Sequence, residues 1–302
     1  MKNNLPNFLI VGAAKCGTSS LHNYLNQHPD VFMPSYNEQG LKVKEPRFLI
    51  KNLVKDRLHN GVWDLKSYLA LFNNIVNEKA IGESTVLYLY YYNEAIKNIK
   101  RYLGDDVKII IMLRNPLDRA FSAYTHVSRS LKEPLSFEEA LEIEENRLKN
   151  DETLTPMVMY KDMGLYHDMV SAYVKNFKNV HVIMYEDFQQ NTKKVVSQTL
   201  AFLGILRGGE LDTDSKYNVG GKSWRFSFLK QFLMKDNFIK KGLRVTFSKT
   251  LRKKFRVFLE YLLKEKAKPI KPETKKELIS FFRNDVEKLE KLLNVDLKNW
   301  KE

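Results

Sequence analysis

Residues 8–21 read FLIVGAAKCGTSSL, and their reading decides the fold. The apolar run 8–11 predicts a short buried strand. Gly12 and Gly17 follow at the glycine spacing of a phosphate-binding loop, G-x-x-x-x-G-K-[ST]. Residues 18–27 predict a helix that opens on the loop. Glycines let backbone N–H groups crowd a phosphate, and the helix adds the positive end of its dipole. Backbone amides of Gly17, Thr18 and Ser19 are therefore candidate phosphate donors, with the hydroxyls of Thr18, Ser19 and Ser20 beside them. An ATPase would place lysine after Gly17; this chain places Thr18, and the loop's lysine is Lys15, at its midpoint. From there a cation reaches a terminal bridging oxygen rather than lying along a β,γ edge.

The second clue is VKIIIML at 107–113, a continuous β-branched strand bounded by Asp105-Asp106 and Arg114-Asn115-Pro116. Such strands belong to parallel sheets covered on both faces. Where an NTPase often holds Mg²⁺ with an aspartate, this chain has Arg114, whose planar fork suits phosphate. Ser122 lies eight residues on, along the next helix. Together the two strand ends point to a nucleotide with two separate anionic groups and no metal; the alternative is an ordinary βαβ unit with a glycine turn and a structural arginine. Further helices are predicted at 62–79, 86–102, 117–129, 137–150, 166–177, 192–203 and 273–293, with strands at 80–84 and 180–185. The alternation implies an α/β class, a P-loop-like three-layer fold with a central parallel sheet flanked by helices. No convincing boundary divides residues 1–302, which are expected to form one domain.

Composition narrows the function. With 302 residues, 43% hydrophobic, the chain can bury a sizeable core. Cys16 is the one cysteine, so no intrachain disulfide forms, which fits a reducing compartment. The N-terminus reads neither as a signal peptide nor as a membrane span, and a soluble, cytoplasmic protein is expected. Charge is uneven. Residues 222–276 hold 18 Lys or Arg against 4 Asp or Glu, a net of +14 that equals that of the whole chain. Such a patch either faces a polyanion or is a solvated lysine-rich face. The stretch FLKQFLMKDNFIKKGLRVTF inside it mixes apolar and cationic residues as an interfacial helix does, so peripheral contact with the inner membrane face is an open expectation.

With these motifs in hand, the chain resembles the sulfotransferases that use 3′-phosphoadenosine 5′-phosphosulfate, most of all the bacterial and carbohydrate branch related to heparan sulfate N- and 3-O-sulfotransferases. The resemblance runs from Phe8 to Trp300 with gaps. It places the 5′-phosphosulfate loop at 12–20, with Lys15, Cys16, Gly17, Thr18, Ser19 and Ser20 as contacts. It places the 3′-phosphate motif at 109–124 (IIIMLRNPLDRAFSAY), with Arg114 and Ser122. KEPRF at 44–48 resembles the motif bearing the catalytic glutamate, here Glu45. YNVGGKSWR at 217–225 resembles a late loop over the nucleotide, with Gly221, Lys222 and Arg225 as contacts. Gly164-Leu165-Tyr166 opens a helix that the family also carries, and 281–300 (FFRNDVEKLEKLLNVDLKNW) resembles its terminal helix and final tryptophan. Two departures stand out: Cys16 sits where the family often has glycine, and in GESTVLY Ser84 sits where the carbohydrate enzymes often have lysine, a place that Lys42 or Lys44 is left to fill.

The resemblance implies in-line transfer of a sulfuryl group to a hydroxyl or amine of a carbohydrate or glycolipid. Glu45 is the expected base and Lys15 the cation for the leaving phosphate oxygen. His126 and Glu83 are rival bases and, with Lys44, candidate substrate contacts. The co-substrate would be 3′-phosphoadenosine 5′-phosphosulfate, the product adenosine 3′,5′-bisphosphate, and no metal is required. Two other readings remain: an ATP- and Mg²⁺-dependent phosphotransferase, and a non-catalytic basic protein that binds polyanions. No recognised nucleic-acid motif is present, and no nucleic-acid partner is expected. Acceptor identity and oligomeric state are not readable.

Overall fold

In the computed structural model, the FLIV of the first strand is wholly buried, as a strand covered on both faces must be. The structure describes residues 5–35, 43–129, 133–206, 211–215, 222–224, 264–266 and 269–302. In chain order the elements are β1 (Phe8–Gly12), α1 (Thr18–Leu25), β2 (Val31–Phe32), α2 (Lys51–Val54), α3 (Leu65–Ala70), β3 (Ala80–Ser84), α4 (Leu87–Tyr90), α5 (Tyr92–Tyr102), β4 (Lys108–Leu113), α6 (Pro116–Val127), α7 (Phe137–Glu142), α8 (Glu144–Asn150), α9 (Tyr166–Asn176), β5 (Val180–Met184), α10 (Tyr185–Gln190), α11 (Thr192–Leu203), β6 (Lys222–Trp224), β7 (Lys264–Lys266) and α12 (Pro272–Leu293).

The main sheet has the order β2-β3-β1-β4-β5, and every pairing in it is parallel. This is the expected α/β architecture. The chain leaves β1 toward one edge, through β2 and β3, and then crosses to β4 on the other side of β1. The crevice at the carboxyl ends of β1 and β4 is thus the switch point where open α/β sheets bind ligands. The register there is tight: the Ala13 amide, just past β1, donates to the Met112 carbonyl of β4 at 2.6 Å.

Local chemistry sets the helices that frame this edge. Pro116 occupies the first turn of α6, and the Asn115 side chain accepts the Leu117 amide at 3.0 Å. The Tyr166 and His167 amides at the start of α9 donate to Asp285 of α12 at 2.7 and 3.2 Å, so the terminal helix caps α9 from a distance. Trp300 then packs on Tyr166, ring centroids 6.2 Å apart.

Three helix expectations need correction. Of 62–79 only Leu65–Ala70 is helical; beyond it Leu71 and Phe72 turn into the core, and the Asp30 carbonyl takes the Lys79 and Ala80 amides to start β3. The helix at 86–102 breaks at Tyr91 (φ −93°, ψ 42°) into α4 and α5. That at 137–150 breaks at Ile143 (φ −94°, ψ 3°) into α7 and α8. Among the described residues, no helix is long and apolar enough to cross a membrane. Within 222–276 the described pieces are the β6–β7 antiparallel ribbon and residues 269–276. The interfacial helix expected at 228–247 lies outside the described residues.

Candidate active site

The loop after β1 is a cradle that only glycine can line. A Cβ on Gly12 would stand 2.6 Å from the Leu89 Cβ and 2.9 Å from the Val86 carbonyl oxygen. Gly17 has φ 89°, and a Cβ there would meet the Tyr185 ring at 3.0 Å. The amides of Ala13, Cys16, Ser20 and Leu21 are bonded within the fold. Those of Thr18 and Ser19 belong to the first turn of α1, which has no internal acceptor for them. Gly17, the N-cap, offers no side chain to close that end. The fit to an anionic group is therefore direct: an uncapped helix start behind a glycine loop, with Lys15 on the loop at φ 72°.

Lys15 is a perturbed lysine. Burial, then repulsion from Arg129 and Arg114, lowers its pKa to about 8. The charges felt by Lys15 identify its neighbourhood: Arg129 and Arg114 as cations and Glu45 as an anion. Arg114 follows β4 directly. Its guanidinium lies over the Tyr185 ring, 4.8 Å from the centroid, and contacts the exposed Asp118 carboxylate at 3.8 Å. Its carbonyl accepts the Tyr166 hydroxyl at 3.0 Å. Ser122 is half-buried on α6, the helix that Arg114 leads into.

The side chain of Cys16 packs inward from the loop. The thiol is buried against the Tyr166 hydroxyl, 3.9 Å away, and burial raises its pKa to about 11, so it is an inert packing group. Thr18 is buried, while Ser19 and Ser20 are partly exposed.

Glu45 stands among cations. One carboxylate oxygen meets Lys44 Nζ at 3.4 Å and the other Arg47 Nη2 at 3.2 Å. Burial pushes its pKa up, but the charges and hydrogen bonds of Lys44 and Arg47 outweigh this and hold it below the usual carboxylate range. Ser84, where the resemblance would have a lysine, is fully buried. Lys42 lies outside the described residues.

Glu83 requires a correction too. It is 0% exposed, and its carboxylate accepts the Tyr68 hydroxyl at 2.6 Å and the Thr85 hydroxyl at 2.7 Å. A group so enclosed touches no acceptor; it lies beneath the site. His126 ends α6 and is exposed, with desolvation and then the charges of Lys15 and Arg129 lowering its pKa, so it is neutral at neutral pH. Gly221 and Arg225 lie outside the described residues, and of Lys222 only its place in β6 is described. Sequence reasoning missed Tyr185, Arg47 and Arg129. Arg47 lay in the quoted KEPRF segment, and Tyr185 was read only as the end of a strand.

The sulfotransferase domain family matches residues 5–269. A crystal structure of a sulfotransferase from Alicyclobacillus acidocaldarius superposes with a TM-score of 0.70 at 31% identity, covering 99% of each chain. Carbohydrate sulfotransferase 15 of Mus musculus is 24% identical over 253 residues, 67% of this chain and 44% of its own length. The bifunctional heparan sulfate N-deacetylase/N-sulfotransferase 3 of Homo sapiens is 25% identical over 213 residues, 67% of this chain and 22% of its own. The chain therefore spans less than half the length of these curated relatives. A glycine cradle with its lysine at mid-loop, an arginine on the next strand, and a family match over most of the length place this chain in the sulfotransferase family.

Proposed function

We propose that the protein transfers a sulfuryl group from 3′-phosphoadenosine 5′-phosphosulfate to a hydroxyl or amine of a carbohydrate acceptor. The observation that carries the reading is the pairing of Lys15 and Arg114 at the carboxyl ends of adjacent strands, with Glu45 within electrostatic reach of Lys15. The start of α1, with Thr18 and Ser19, would hold the 5′-phosphate, and Arg114 with Ser122 the 3′-phosphate. The donor supplies the activated sulfuryl group. Lys15 neutralises charge that develops on the leaving phosphate oxygen. Glu45, held ionised, takes the acceptor proton. The names of the relatives support a carbohydrate acceptor, and the basic stretch 222–276 suits an anionic one or a membrane-bound glycolipid at the cytoplasmic face.

Calorimetric titration with adenosine 3′,5′-bisphosphate in EDTA, set beside ATP with Mg²⁺, tests the donor. Micromolar binding of the bisphosphate that is lost in Arg114→Ala is expected. Binding of ATP with Mg²⁺ alone would move the protein to the phosphotransferases. In a glycan acceptor assay, Glu45→Gln should lose about 10²–10⁴-fold in kcat. An unchanged kcat would transfer the base role to His126.

A further inference from the structure

The segment carrying Glu45 has no regular structure of its own, yet it is held from beneath by a continuous chain of hydrogen bonds. Glu83 and Thr85 lie at and just past the end of β3, beside β1. The Glu83 carboxylate is wholly buried and accepts the hydroxyls of Tyr68 and Thr85; the Tyr88 hydroxyl is a third donor. Having donated its proton to Glu83, the Thr85 hydroxyl oxygen faces the 44–47 segment and accepts the Arg47 amide at 3.3 Å. Arg47 is one of few non-glycine residues in the left-handed region, with φ 60°. Such a conformation persists only where its surroundings determine it. The other anchors are the Asn60 carbonyl, which accepts from Arg47 Nη1, and the Val62 amide, which donates to the Pro46 carbonyl at 2.8 Å. From this turn Arg47 Nη2 reaches the Glu45 carboxylate.

We propose that Glu83 and Thr85 are positioning residues for the reaction: the buried carboxylate orients the Thr85 hydroxyl, which fixes the left-handed turn at Arg47 and through it the place of Glu45. Burying a carboxylate costs much unless hydroxyls or cations satisfy it. A packing role alone would be filled as well by an apolar residue. Glu83 instead presents one oxygen to the Tyr68 hydroxyl and the other to the Thr85 hydroxyl, which in turn accepts the Arg47 amide. The inference rests on the reading of Glu45 as the base.

Thr85→Val removes the hydroxyl at nearly constant shape, and Thr85→Ser keeps it. Glu83→Gln is the direct variant, and the Thr85 pair carries the test if that protein does not fold. In Thr85→Val the affinity for adenosine 3′,5′-bisphosphate is expected to stay within about twofold while kcat falls by roughly 10–100-fold, since a misplacement of about 1 Å costs that much. The Glu45 carboxyl, followed by NMR titration, should titrate at higher pH than in the wild type. Thr85→Ser should restore both. Added to Glu45→Gln, Thr85→Val should lower kcat no further. An unchanged Glu45 titration, an equal loss with and without Glu45, or collapse of nucleotide binding in Thr85→Val would each overturn the proposal. The titration needs no turnover. A wild type that binds no bisphosphate, with the Glu45 shift still present, would therefore sink the donor assignment and leave the relay standing.

Discussion

The Tyr185 ring lies against both Arg114 and the glycine loop: Arg114 stacks on it at 4.8 Å, and any side chain at Gly17 would meet it at 3.0 Å. One aromatic wall therefore spaces the glycine loop from the arginine. Removing the ring in Tyr185→Ala frees Arg114 to swing toward Asp118. A partly desolvated cation–π contact is worth about 1–2 kcal/mol, so the Kd for adenosine 3′,5′-bisphosphate should rise roughly 5- to 30-fold. Tyr185→Phe keeps the face of the ring and should stay within about twofold. Calorimetry on the two variants decides; equal losses in both would assign the effect to the hydroxyl instead of the ring.

Lys15 makes nucleotide binding depend on pH in a fixed direction. Its pKa is lowered to about 8 by burial and by Arg129 and Arg114. A bound phosphate favours the charged form, so binding raises that pKa and takes up a proton. Affinity should be flat below pH 7 and fall as pH rises through 8, by up to about tenfold per unit until the pKa of the complex is reached. Titrations from pH 6.5 to 9.5, in buffers of different ionisation enthalpy, report both the slope and the proton uptake. Lys15→Met should bind weakly and lose the slope. A slope that persists in Lys15→Met would assign it to another group.

The parts of this molecule legible in the sequence were those with a local cause. The strands β1, β4 and β5 show as apolar runs because both sheet faces are covered. Lys15 and Arg114 show because each follows such a strand directly. What escaped had a tertiary cause. Glu83 reads as a rival base because nothing nearby in sequence announces Tyr68 or the depth of β3. The break at Tyr91 is not written in helix propensity; the neighbouring Tyr90 hydroxyl bonds Asp162 at 2.6 Å, seventy-two residues away. Tyr185 belongs in sequence to the end of a strand, and only the parallel pairing of β4 with β5 sets it beside Arg114. The segment with Glu45 was legible by resemblance alone, since it has no periodicity.

A buried ion pair braces the region between α6 and α9, and its loss should be felt at the site. Glu133 is 1% exposed. Its carboxylate takes both Arg147 Nη groups, at 2.6 and 3.1 Å, and the Tyr160 hydroxyl at 2.6 Å. The Tyr160 carbonyl in turn accepts from Arg119 of α6, the helix that bears Ser122. Arg147→Met strands the carboxylate, a change that costs about 3–5 kcal/mol and should lower Tm by roughly 5–10 °C. Glu133→Gln added to Arg147→Met should recover much of the loss at neutral pH, because a neutral amide can still accept the Tyr160 hydroxyl. Thermal unfolding of the single and double variants at neutral pH measures this. Full additivity of the two substitutions would mean that the pair does not act as a unit, and that Tyr160 is held by packing alone.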